Sequence, residues 1–101
     1  MSEIPKTTPR EQKVLFAIGE RTAYGLEIKE TIEKCTNGRT KLTIGALYPL
    51  LHSLEKKGLV VSNWGDESTC GARRRYYNIT DLGRDTITDI LATQQRLLQG
   101  Y

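Results

Sequence analysis

The chain has 101 residues, a net charge of +3 and 38 % hydrophobic residues, enough for one domain with a modest core that pairing with a second copy would enlarge. No apolar run approaches the ~18 residues of a membrane span, and no charged-then-apolar leader opens the chain. Two cysteines and one histidine supply neither a disulfide framework nor a zinc site, so the expectation is a cytoplasmic protein with Cys35 and Cys70 reduced, no metal and no cofactor.

Residues 1–7 carry little apolar content and read as a flexible N-terminal arm. "TPRE" follows: Thr8 and Glu11 are spaced as a capping box, and Pro9 takes the first helical position, where its missing N–H is not needed. Val14, Leu15 and Ile18 give the first helix an apolar stripe that ends at Gly19. In "RTAYGLEIKETIEKCTNG" a second helix places Ile28, Ile32 and Cys35 on its apolar side, with Glu30 and Lys34 as an i, i+4 pair. Asn37-Gly38 stops it.

A third helix starts after Thr43, a plausible N-cap. Ile44, Leu47, Leu51 and Leu54 form its buried stripe, widened by Leu50. Lys56 and Lys57 suit its C-terminal dipole, and Gly58 caps it. The pattern then turns to β: Leu59–Trp64 and the alternating Arg75–Ile79 flank a small, polar tip from Gly65 to Ala72, which predicts a hairpin. Trp64 and the tyrosines read as core. Thr80-Asp81 opens a last helix running to about Gln99.

Three helices, a hairpin and a final helix define a mainly α chain with a two-stranded β-hairpin: a winged helix-turn-helix over residues 8–80, followed by a C-terminal dimerisation helix over 81–101. On the third helix the outward face carries Thr43, Gly45, Ala46, Tyr48, Pro49, His52 and Ser53. It is slim at its start and lacks any acid between Thr43 and Ser53. Gly45 lies four residues before Pro49, where the proline ring crowds a carbonyl, and a glycine lets the backbone adjust. A thin, acid-free start suits entry into a major groove about 12 Å wide. Arg39 and Lys41 precede it, where phosphates would also meet free helix N–H groups. In "GARRRYY", Arg73, Arg74 and Arg75 stand on the wing, placed for phosphates or the minor groove. On the last helix, Ile87, Ile90, Leu91, Gln94, Leu97 and Leu98 form a face expected to meet a second copy, with Val14 of the first helix added to that interface.

"LTIGALYPLLHSLEKKGLV" with the later "RRRYYNITDLG" resembles the PadR family of bacterial winged-helix transcriptional regulators. The shared residues are Thr43, Gly45, Leu47, Tyr48, Pro49, Leu50, Leu54, Glu55, Gly58 and Leu59, then Arg74, Arg75, Tyr76, Tyr77, Thr80 and Gly83. "YGLEI" resembles the start of the family's second helix, with Leu26 where tyrosine is usual. The resemblance covers roughly residues 14 to 85. It implies a homodimeric repressor in the bacterial cytoplasm, bound to double-stranded DNA at an inverted-repeat operator. Thr43, Gly45 and Tyr48 would face DNA, and Arg73 and Arg74 would serve the wing. A single helix after the wing matches the short subfamily. Some family members sense small molecules at the dimer interface, but no residue here indicates a particular effector. The competing expectation is a winged-helix module that docks another protein without binding DNA. Enzyme chemistry has no footing, because His52 lacks a partner and no nucleophile motif accompanies it.

Overall fold

The computed structural model describes residues 3–65 and 74–100. The expectations for Arg73, Cys70 and the wing tip lie outside them. The elements run α1 (Pro9–Ile18), β1 (Ala23–Tyr24), α2 (Gly25–Cys35), α3 (Ile44–Lys56), β2 (Val60–Trp64), β3 (Arg75–Ile79) and α4 (Asp81–Gln99). The helices begin where the caps foretell. Thr8 Oγ1 accepts from the Glu11 N–H at 3.2 Å while Glu11 Oε1 accepts from the Thr8 N–H at 2.8 Å. Thr43 and Thr80 cap α3 and α4 through their side-chain oxygens. The Tyr24 N–H at the head of α2 donates to Glu27 Oε1 at 3.2 Å.

The sheet has three strands rather than two. β3 lies between β1 and β2, antiparallel to both, with Tyr24 opposite Tyr76 and Trp64 opposite Arg75. Two residues are too few for an alternation pattern, so β1 leaves no periodic signal in the sequence. It ties the start of α2 to the wing.

The core is built where α1, α2 and α3 converge on the sheet. Val14, Leu15 and Ile18 meet Ile28 and Ile32, then Leu47, Leu51 and Leu54, and the strands close it with Val60 and Tyr77. Each such aliphatic side chain contributes ~1.5–3 kcal/mol by leaving water. Two members expected from the helix stripes are absent. Ile44 is 39 % exposed, because the first turn of α3 projects past this core. Cys35 is also exposed, at the last turn of α2.

A long-range polar cluster fastens α1 to the far end of α3. Glu11 is 4 % exposed. It accepts hydrogen bonds from Ser53 Oγ and from Lys57 Nζ, the latter at 2.8 Å. Burial pushes its carboxyl up, but the bonds from Lys57, Ser53 and the Thr8 N–H outweigh burial and hold it down at about 2. Lys57 Nζ also donates to the Lys6 carbonyl at 2.7 Å, which draws the N-terminal segment onto the same corner.

At the start of α4, the Thr80 N–H donates to the Leu59 carbonyl at 3.0 Å and Thr80 Oγ1 donates to the Gly58 carbonyl at 2.6 Å. Gly83 packs against the Leu59 backbone just ahead of β2: a Cβ there would lie 2.1 Å from the Leu59 oxygen. Arg84 forms a two-pronged pair with Glu20, at 2.7 and 2.9 Å. Thr86 is still buried and Ile87 still packs against the core; α4 then leaves the domain, and every residue from Leu91 to Gly100 is exposed. Among the described residues no helix is long and apolar enough to cross a membrane, and none group into a metal site.

Candidate nucleic-acid interface

The free face of α3 begins at its cap. Thr43 Oγ1 accepts from the Ala46 N–H at 3.1 Å, and no acidic side chain lies in the first turn. Gly45, Tyr48 and His52 follow at spacings of three and four, and all three are exposed. A Cβ placed on Gly45 would meet nothing closer than Thr43 Oγ1 at 3.9 Å. Packing within the protein therefore does not require a glycine there. Tyr48 is 43 % exposed, with its inner edge against the first residue of α2: a Cβ on Gly25 would sit 3.0 Å from the phenol oxygen. Ala46, expected on the outer face, is half-buried against the core. Arg39 and Lys41 are exposed just ahead of α3.

The root of the wing stands beside this face. The Arg74 guanidinium lies 4.6 Å over the Tyr24 ring, and Tyr24 meets Tyr76 edge-on at 5.6 Å. Arg75, one residue on, opens β3 and lines the same cleft. It lies 5.3 Å over the Trp64 ring, donates from Nε to Ser62 Oγ at 3.0 Å and reaches Glu55 of α3 at 3.6 Å. Ser62 Oγ in turn donates to Glu55 Oε2 at 2.6 Å. Tyr77 closes the floor, and burial pushes its phenol up. Tyr48, His52, Trp64, Arg74 and Arg75 thus line one cleft of about 680 Å³ between α3 and the wing.

Tyr48, Arg74 and Arg75, separated by up to 27 positions in sequence, are therefore brought to one cleft, and Gly45 precedes Tyr48 by three residues on the same face of α3. The residues expected at a dimer interface divide. Ile87 and Ile90 are half-buried, and Leu91, Gln94, Leu97 and Leu98 are exposed. Val14 is fully buried in its own core, which corrects its assignment, since it has no surface to give a partner. Trp64, expected in the core, is exposed at the cleft instead, because its strand ends beyond the helices. Tyr24 and Glu55 escaped sequence reasoning. Only the pairing of β1 with β3 brings Tyr24 under Arg74, and only the fold sets Glu55 beside β2.

Residues 14–89 match the model of the transcriptional regulator PadR-like family. The chain belongs to the PadR-like family. It is 35 % identical over 78 residues to "Uncharacterized protein X" of Lysinibacillus sphaericus, covering 77 % of this chain and 71 % of that protein. A PadR-like transcription factor from Bacteroides fragilis superposes with a TM-score of 0.77 at 29 % identity, over 89 % of this chain and 84 % of that one. Bacillus subtilis PadR, solved in complex with operator DNA, shares the fold at a TM-score of 0.73 and 18 % identity, over 83 % of this chain and 47 % of its own. Members of the PadR-like family are transcriptional regulators and not enzymes. In chain order α4 follows the hairpin of β2 and β3.

Proposed function

We propose that the protein is a cytoplasmic homodimeric repressor that places one α3 helix in the major groove of each half of an inverted-repeat operator. The observation that carries this reading is Gly45. It stands on an exposed, acid-free helix start, where a side chain would meet only Thr43 Oγ1, at 3.9 Å. Thr43, Gly45 and Tyr48 face the bases and Ile44 offers an apolar edge to a thymine methyl. Arg39, Lys41 and Arg74 serve the phosphates. The exposed Leu91, Leu97 and Leu98 of α4 pair with a second copy. In such a dimer the half-sites lie about one helical turn apart.

Electrophoretic shift with a random-sequence duplex at low and at moderate salt tests the reading, followed by selection of bound genomic fragments. The expected result is salt-sensitive binding to any duplex and tighter binding, still detectable at moderate salt, to a selected inverted repeat. A chain that ignores DNA even at low salt would instead be a protein-docking winged helix.

A further inference from the structure

We infer that Arg75 is a positioning residue, which sets the wing against α3 through Glu55 and Ser62, and not a phosphate ligand. This rests on α3 and the wing forming the DNA face, as proposed above. The neighbouring arginines have different surroundings. Arg74 lies over Tyr24, just ahead of β3. Arg75 is engaged on three sides: the Trp64 ring at 5.3 Å, Ser62 Oγ at 3.0 Å and the Glu55 carboxylate at 3.6 Å. Ser62 completes a closed triangle by donating to the other Glu55 oxygen at 2.6 Å.

The three corners come from α3, β2 and β3. Glu55 is in the last turn of α3, about 18 Å along the axis from Thr43. A fastening there fixes the angle between the helix and the root of the wing. That angle decides whether Tyr48 and Arg74 meet one duplex together. Glu55 and Arg75 are both partly exposed, so the pair adds little to stability, and its role is orientation. A carboxylate beside a DNA-binding cleft repels phosphates, and here Arg75 neutralises it.

The test measures binding to a random-sequence duplex of about 30 base pairs across a salt series. It uses Arg75→Ala, Glu55→Gln, the double variant, Ser62→Ala and Arg74→Ala, each first shown to be folded by circular dichroism. Binding by the wild-type chain is the prior control, and its absence would sink the proposed function and leave nothing to position. Given binding, Arg75→Ala, Glu55→Gln and Ser62→Ala should each weaken it by about fivefold. The salt slope should stay at the wild-type value for these variants, whereas Arg74→Ala should lower it by about one. The double variant should bind no worse than either of its single parents, because both break one unit. Glu55→Gln is decisive, since it removes a negative charge. If Glu55 positions nothing, that variant binds more tightly, which would overturn the inference. A slope lowered by about one in Arg75→Ala would overturn it too, by making Arg75 a phosphate contact. Should Arg75→Ala fail to fold, Glu55→Gln and Ser62→Ala decide alone.

Discussion

Two glycines in this chain have opposite reasons for being glycine. At Gly83 the neighbouring carbonyl of Leu59 would lie 2.1 Å from any Cβ, so the side chain is forbidden from within. Gly83→Ala should therefore cost about 3 kcal/mol or more, as overpacking against backbone does, seen as a lowered urea midpoint. At Gly45 the space is open. Gly45→Ala should raise stability by up to about 1 kcal/mol, since alanine is the better helix former. The same variant should bind DNA roughly fivefold more weakly, a loss of about 1 kcal/mol, because the added methyl meets the groove. A thermal melt and a binding titration on one preparation check both signs. Unchanged DNA affinity would remove Gly45 from the interface.

The elements were readable in the sequence where their signals are local. The capping box of Thr8 and Glu11, the Thr43 cap and the strand signal of Arg75–Ile79 each lie within a few residues, and the caps and the strand are all present in the structure. Unread signals were those of contact between distant segments. β1 exists only through its pairing with β3. Ile44 fits the helical period yet projects past the core. Glu11 was read as half of a cap, while its partners Ser53 and Lys57 lie 42 and 46 residues away. That last cluster makes the packing of α1 on α3 sensitive to acid. Its stabilisation is complete above the ordinary carboxyl value of 4.5 and is lost as pH falls towards about 2. The contribution is on the order of 3 kcal/mol, of which about 2 kcal/mol is gone by pH 3. Urea melts of the wild type and of Glu11→Gln should differ most at neutral pH and converge in acid. Curves that stay parallel down to pH 3 would show that Glu11 is not tied in this way.

At the scale of the whole molecule, 54 Å in its longest extent, α4 is the outlier. Leu97 and Leu98 are 68 % and 84 % exposed, so charging them disturbs little within one chain. Replacing Leu91 and Leu98, seven residues apart and so on one helical face, by Glu should leave the fold and its helix content unchanged. The same change should weaken self-association at least about 100-fold, equivalent to ~2.7 kcal/mol, by sedimentation equilibrium. Dimers that persist in this variant would place the contact elsewhere. The residues proposed for the DNA face were picked out as small, basic and acid-free positions, which show in one dimension. Their contacts were not legible there, since only the fold decides which arginine finds which ring.

The junction of Leu59 with Thr80 and Gly83 carries a rotational consequence. Because Leu59, just ahead of β2, holds α4 at both its cap and its first turn, the azimuth of the whole rod is set before it leaves the domain. One extra residue inserted beyond these anchors, between Thr88 and Asp89, would spin the rest of the rod by about 100°, swinging Leu91 and Leu98 away from any twofold axis. In the proposed dimer, the spacing of operator halves is thus dictated by a seam far from the DNA.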